Sequence, residues 1–368
     1  MVYDSTGKEY IDCAGGYGTC IVGHAHPRVA EAISSQSHRL ISSHASTYNE
    51  TRAIFLEKLF AFLPPAFERA YLANSGSEAI ECAIKVSRKY TGKKQIVAMK
   101  GGFHGKTHGA LSATWDIKYR KSFEPLLQDF THAVFGDPES AKTVITKNTA
   151  AILIEPIQGE GGVRVPPPDW LPLIRDLATD NGAVLVADEI QTGFGRTGKK
   201  LACEHFKVTP DIVCLGKGIA SGLPIGITVG SDRVMSSLAL GEHTSTFGGN
   251  PVVCAAAAAT VDVLQDERLI ENARTVGEQF KRDLSSLQKY LRIMRDVRGL
   301  GLMLGVEMRF DIFQTLQSLL DEGVLALDAG RNILRFLPPL CLQTQHANKV
   351  VRALKTILEE EQLAKLPS

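Results

Sequence analysis

The sequence predicts an α/β fold, with a large domain on a mostly parallel central sheet and a smaller α+β domain after it. Two observations predict this. From about residue 50 to 260, short apolar runs at 151–154, 183–187 and 212–215 alternate with helical patterns, the signature of a parallel sheet with covering helices. After Pro251 the pattern changes: Leu269, Ala273, Val276, Phe280, Leu284 and Leu287 recur at spacings of three and four, one apolar stripe on a long amphipathic helix. Strand-like runs follow at 302–306, 324–327 and 333–337, with helices around 313–320 and 347–358. With 368 residues and 44% hydrophobic content, the chain has enough material for both cores.

Residues 1–20 read as a hairpin around the turn Asp4-Ser5-Thr6-Gly7. Its first strand starts almost at Met1, so a further piece upstream is expected. No repeat or low-complexity linker separates the domains, which puts the boundary near residue 260 inside a helix. The expected division is an N-terminal segment, 1–45, packing with the small domain, then a large domain, 46–260, and a small domain, 261–368.

Composition narrows the function. Lys and Arg number 41 against 40 Asp and Glu, a net charge of +1, so no global field draws the molecule to nucleic acid or an anionic membrane. Any phosphate it binds must be held locally. Seven scattered cysteines without a CxxC pair argue against a disulfide framework and a zinc site, so no metal is expected. A reducing cytoplasm is the expected location, since the N-terminus has no basic and apolar leader and the most apolar stretch, 252–259, is too short to span a bilayer.

Three places carry candidate chemistry. Lys217 stands between Gly216 and Gly218 at the end of an apolar strand, which puts an amine at the carboxyl edge of a sheet, where open α/β folds bind ligands. A solvated lysine in a strand-to-helix turn is the equally weighted alternative. Asp188 ends the run 183–187. It is either a cap or the acidic partner that keeps a pyridine ring nitrogen protonated, so that the ring can take up a carbanion's electrons. In Asn74-Ser75-Gly76-Ser77-Glu78, Ser75 and Glu78 fit a capping box, and the small residues leave backbone N–H groups free to hold a phosphate. The stretch Gly193-Phe194-Gly195-Arg196-Thr197-Gly198 matches a dinucleotide fingerprint, but it does not open into a helix and is set aside with the nicotinamide dehydrogenase it would imply. His24-Ala25-His26 lacks a third ligand and reads as loop structure.

Taken together, GHAHP (23–27), NSGSEA (74–79), FHGKT (103–107), EPIQGEGG (155–162), DEIQTGFGRTG (188–198), GKG (216–218), STFGGNP (245–251) and RFLPP (335–339) resemble, in order, the class III aminotransferases of fold type I. The resemblance implies pyridoxal 5'-phosphate as cofactor, held by Lys217 as a Schiff base, with Asp188 on the ring nitrogen, Gln191 on the phenolic oxygen and Phe103 stacked on the ring. It places Ser75, Gly76 and Ser77 at the phosphate, and His104 and Glu155 among the cofactor-binding residues. Thr246 would join the phosphate from a second subunit, which implies a homodimer with shared active sites.

For substrates, the resemblance implies that Arg335 binds the α-carboxylate of glutamate or 2-oxoglutarate and that Glu160 neutralises it when the other substrate occupies the site. Within the family the chain is most similar to enzymes acting on acetylornithine or on carrier-protein-linked ornithine- and lysine-type substrates in arginine and lysine biosynthesis. This makes an amino-group carrier protein a possible partner. Two departures bear on the substrate. Lys106 stands where the family carries an arginine that grips the distal carboxylate, and Tyr17 stands where ornithine δ-aminotransferases carry a substrate-contacting tyrosine. Free ornithine, another ω-amine, and the mutase reaction on glutamate-1-semialdehyde are the alternatives.

Overall fold

The apolar runs at 151–154, 183–187 and 212–215 become the middle of a sheet because both of their faces are covered. In the computed structural model, which describes residues 1–365, β1 (Val2–Tyr3) and β2 (Glu9–Asp12) form the expected hairpin, with the Gly7 amide donating to the Asp4 carbonyl across the turn. The central sheet comes next in the chain: β3 (Arg69–Ala73), β4 (Gln95–Met99), β5 (Phe130–Ala133), β6 (Thr149–Ile154), β7 (Val184–Asp188), β8 (Ile212–Leu215) and β9 (Gly226–Gly230), in the order β3-β9-β8-β7-β6-β4-β5.

Only β9 runs against its neighbours, pairing antiparallel with both β3 and β8. The other strands of the sheet share one direction, so the carboxyl ends of β3, β4, β6, β7 and β8 open on the same edge. All six residues of β6 are buried. One face of the sheet is covered by Ala79, Ile80 and Ala83 of the helix Gly76–Thr91, and the other by Trp170, Leu171 and Ile174 of Trp170–Asn181.

The second sheet comprises β10 (Met294–Leu300), β11 (Met303–Met308), β13 (Leu327–Ala329) and β14 (Ile333–Phe336), in the antiparallel order β10-β11-β14-β13. The two-residue strand β12 (Val324–Leu325) leaves this sheet and pairs parallel with β2, Val324 opposite Ile11. The run expected as one strand at 324–327 is therefore two strands in two sheets. Alternation marks a strand but does not name its partner. β10 has no clear signal in the sequence, because its charged residues Arg295, Asp296 and Arg298 mask the alternation.

All six residues of the predicted stripe are buried on the helix Leu269–Gln288, and residue 260 lies within the preceding helix, Pro251–Asp266. The C-terminal helix, Thr344–Lys365, extends beyond the expected 347–358 at both ends. The ring of Phe280 packs 5.5 Å from that of Phe336, next in sequence to Arg335 on β14.

The set-aside glycine-rich stretch has a structural use. Arg196 is buried, and its Nη1 donates to the carbonyls of Leu302, at 3.0 Å, and Pro338, which ties this loop to the segments flanking β11 and β14. Burial pushes the guanidinium down to about 10, partly offset by Asp12. His26 caps the helix Pro27–Ser37, which packs on Pro251–Asp266, and His24 pairs with Asp12 at 2.5 Å.

Phe280→Ala is expected to lower stability by about 3–5 kcal/mol, the range for a large aromatic removed from a filled core. Denaturant titration monitored by circular dichroism measures it.

Candidate active site

Five strand ends deliver the site. The residues after β3 enter the helix Gly76–Thr91 through the predicted capping box: the Glu78 amide donates to Ser75 Oγ at 3.3 Å and the Ser75 amide to Glu78 Oε2 at 3.2 Å. With Ser75 and Glu78 closing the cap, the amides of Gly76 and Ser77 have no intrahelical acceptor and lie at the positive end of the helix dipole. Gly105 closes the other side of this tip. Its φ is +130°, and a Cβ there would sit 2.1 Å from Ser77 Oγ, so only glycine allows the two loops to approach.

Asp188 is the last residue of β7 and lies beside Cys214 of β8, three residues before Lys217. The strand pairing thus brings the acid and the amine to neighbouring positions. His104 Nδ1 donates to Asp188 Oδ2 at 2.7 Å, and the Ile190 amide donates to Oδ1 at 3.1 Å, which fixes the carboxylate's orientation. His104 is itself buried and held through its amide by Thr114 Oγ1 at 3.0 Å. Lys217 takes a left-handed φ of 45° in the turn after β8. Burial pushes its ammonium below the ordinary lysine value and Arg335 adds to this, while Glu160, Asp188 and Glu155 oppose it. The result is an amine that gives up its proton more readily than a solvated lysine.

Glu155 comes directly after β6. Its Oε2 accepts from the Phe103 amide at 2.9 Å and its Oε1 from the Gly159 amide at 3.0 Å, so it joins the Phe103 loop to the hairpin that carries Glu160. Burial raises its carboxyl to about 7, His104 pulling it down and Asp188 pushing it up. On this geometry it holds loops in place while forming part of the cavity wall. Across the cavity, Arg335 Nη1 donates to Glu160 Oε1 at 2.5 Å and to Gln191 Oε1 at 3.3 Å. Burial works against the charge on Glu160, but Arg335 outweighs it and the carboxyl is lowered. The Arg335 side chain is wholly buried, and its Nε and Nη2 have no partner among the described residues.

Ten of the expected residues line one cavity of about 190 Å³: Ser75, Gly76, Ser77, Phe103, His104, Glu155, Glu160, Asp188, Gln191 and Lys217. Arg335 reaches it through Glu160 and Gln191. Tyr17, 55% exposed, is not in the cavity wall, and its ring lies 5.9 Å from the Arg335 guanidinium carbon. Its φ of 58° comes after two left-handed glycines, and at the first of these, Gly15, a Cβ would meet the Leu337 carbonyl at 2.3 Å. Lys106 is exposed. Its amide donates to Ser77 Oγ at 3.3 Å, and its ammonium stands 5.4 Å from the Tyr119 ring centroid. Thr246 is exposed and does not line the cavity of its own chain.

Sequence reasoning missed two contributors. Ile190 fills the space beside Gly76 and Gly216, and Tyr119 stands edge-on to Phe103 at 5.2 Å. Ile190 lies inside the stretch 188–198 already singled out, but its contact with the two glycines is made only by the fold, and Tyr119 lies outside every such stretch.

An amine, an acid and a helix tip around one cavity on the carboxyl edge of such a sheet define an enzyme built for a phosphorylated pyridine ring. The residues fit that group: Asp188 is buried and oriented for a ring nitrogen, Phe103 offers an aromatic face, and the tip of Gly76–Thr91 provides unpaired amides for a phosphate. Comparison with known proteins carries this further. The model of the class-III aminotransferase family matches residues 1–358. A LysW-aminoadipate semialdehyde transaminase of Deinococcus radiodurans is 40% identical over 97% of this chain and 83% of its own length. An acetylornithine aminotransferase of Methanopyrus kandleri is 41% identical over 97% of this chain and 92% of its own. The crystal structure of the ornithine aminotransferase of Toxoplasma gondii superposes with a TM-score of 0.95 at 31% identity, covering 99% of this chain and 89% of that one. The chain belongs to the class-III aminotransferases: it is a transaminase dependent on pyridoxal 5'-phosphate.

Lys217→Ala is expected to lower turnover by at least 10²–10⁴-fold, on the order of a lost proton-transfer group, with an unchanged far-ultraviolet spectrum and loss of covalently held cofactor. A second expectation concerns pH. Glu155 holds its proton to about 7 in the fold, above the ordinary value of 4.5, so the unfolded state loses that proton first and stability falls as pH rises between these values. Glu155→Gln should flatten this part of the profile of melting temperature against pH.

Proposed function

We propose that this transaminase moves the terminal amino group of an N-acylornithine- or N-acyllysine-type substrate to 2-oxoglutarate, or the reverse. The substrate is acetylornithine or ornithine or lysine linked to a carrier protein, which places the enzyme in arginine or lysine biosynthesis. The observation that carries this reading is the Glu160–Arg335 couple. A terminal amine brings no carboxylate to the reacting end, and a buried guanidinium left alone there would be costly. Glu160 supplies the counter-charge. When 2-oxoglutarate enters, its α-carboxylate takes over Arg335 as a bidentate partner, using donors such as the free Nε and Nη2, and Glu160 is displaced.

When bound, the cofactor supplies the electron sink for a carbanion at the amine-bearing carbon. The residues of this chain do the rest. Asp188, held by His104, fixes a negative charge at the far end of the sink. Phe103 covers one face, and the helix tip at Gly76 and Ser77 anchors the phosphate. The Lys217 Nζ, with its lowered proton affinity, takes the proton from the substrate carbon and gives it back on the other side of the transfer. Gln191, which accepts from Arg335, orients the ring's oxygen substituent.

Thr246 is exposed outside its own cavity, and Tyr48 and Phe247 are large exposed apolar side chains. Both facts support a homodimer in which Thr246 completes the partner's phosphate site. The division into an N-terminal segment at 1–45, a large domain at 46–260 and a small domain at 261–368 is part of the same reading, as is a cytoplasmic location. No helix among the described residues is long and apolar enough to cross a membrane. Tyr17 favours a second reading, free ornithine as donor, because its ring lies 5.9 Å from the Arg335 guanidinium carbon. Lys106, next in sequence to Gly105 of the cavity wall, keeps a positive charge without the planar fork of an arginine.

The test is the visible spectrum of the holoenzyme. Acetylornithine should bleach the yellow cofactor band and 2-oxoglutarate should restore it. Absence of bleaching with acetylornithine, carrier-linked substrate and ornithine alike would remove the proposal, and faster bleaching by ornithine would favour the second reading. Arg335→Lys should raise KM for 2-oxoglutarate by about 10- to 100-fold, the worth of a charge-assisted bidentate contact, and leave the half-reaction with the amine donor nearly unchanged. Stopped-flow half-reactions separate the two.

A further inference from the structure

Away from Lys217, a cleft of about 780 Å³ lies between the central-sheet part of the chain and the second sheet. Its wall carries five guanidinium groups, Arg164, Arg295, Arg298, Arg309 and Arg331, against one carboxylate, Glu307. That carboxylate is already shared: Oε2 pairs with Arg298 Nη1 at 2.6 Å and Oε1 with Arg295 Nη1 at 3.2 Å. Asp296 adds a second contact to Arg298 at 2.8 Å. Arg164, Arg309 and Arg331 have no carboxylate within ion-pair distance among the described residues, and Arg309 Nε donates to the Arg292 carbonyl instead.

On a convex surface such arginines would be an ordinary solvated face. In a concave one with protein walls their fields add, and the repulsion among them is relieved when an anion enters. The overall charge of +1 makes this a local feature. We propose that the cleft is a binding site for a small polyanion of the phosphate or polycarboxylate class, bridging Arg164 on the central-sheet side and Arg309 and Arg331 on the other.

The site has a route to the active centre. The hairpin bridged by Gln158 and Arg164 lines both cavities, Glu160 facing Lys217 and Gly161 with Arg164 facing the cleft. Arg298 Nε donates to the Gly162 carbonyl at 3.0 Å, and the Gly330 amide, next to Arg331, donates to the Glu160 carbonyl at 2.8 Å. An anion that draws Arg164 and Arg331 together acts on the backbone of the residue whose side chain neutralises Arg335. This coupling rests on the exchange of partners at Arg335 proposed above, whereas the binding site does not.

The test uses the holoenzyme, with its cofactor phosphate site filled, and titrates inorganic pyrophosphate and citrate calorimetrically at low salt. One saturable site per chain is expected, weakened at least about tenfold in R309Q/R331Q, whose activity without polyanion is unchanged. In the wild type, and not in that variant, either probe should shift KM for 2-oxoglutarate severalfold. No saturable binding, or equal affinity in the variant, overturns the site. Binding of a polyglutamate peptide with neither small probe bound also overturns it, in favour of a protein-docking surface. Saturable binding lost in the variant with KM unmoved overturns the coupling alone. None of these results bears on cofactor bleaching, which tests the transaminase reading separately.

Discussion

Removing the Lys217 amine from water is the constraint on which the rest of the site depends. An isolated buried ammonium is costly, and the protein answers in two ways: it lowers the amine's proton affinity and surrounds it with the carboxylates of Glu160, Asp188 and Glu155. Those carboxylates are in turn expensive to bury and need donors. His104 and the Ile190 amide serve Asp188, two backbone amides serve Glu155, and Arg335 serves Glu160. These donors come from four places, the Phe103–His104 loop, the end of β7, the Glu160 hairpin and β14, so the charge arrangement holds only while the carboxyl edge of the sheet stays assembled. The lone antiparallel strand β9 contributes to this by lying between β3 and β8 and joining the two, which holds the helix tip after β3 on the same edge.

On the proposed reading, the same economy of charge lets one cavity serve two chemically different amino partners. Arg335 is a wholly buried guanidinium on β14, next in sequence to the Phe336 that packs on Phe280, and on the proposed reading what varies is its partner. The hairpin that carries Glu160 is pinned on one side by Glu155 and on the other by Arg298 and Gly330. The position of one carboxylate is therefore shared between the reacting cavity and the arginine cleft, an arrangement that neither sheet could produce alone.

Much of this was legible in the residues. The three apolar runs, the stripe from Leu269 to Leu287, the capping box at Ser75 and the lysine between two glycines each carry a local physical signal, and each appears where expected. The run at 324–327 split because alternation is shared by any strand, whichever sheet claims it, and β10 stayed hidden because its arginines lie partly in the arginine cleft. The glycine-rich stretch 193–198 has the spacing of a nucleotide loop yet works as a dock for Arg196, because its arginine turns inward to the carbonyls of Leu302 and Pro338.

Chain order alone settled which residue types the chemistry uses and which end of each strand bears them, because capping, periodicity and side-chain chemistry act over a few neighbouring residues. Distance across the chain was settled by folding. That Asp188 meets His104, that Glu160 meets Arg335 from 175 positions away, and that five arginines from four segments face one cleft are outcomes of strand order and sheet packing. Pairing energies between segments are nearly the same for many registers, and the choice among them is made by burial of the whole core.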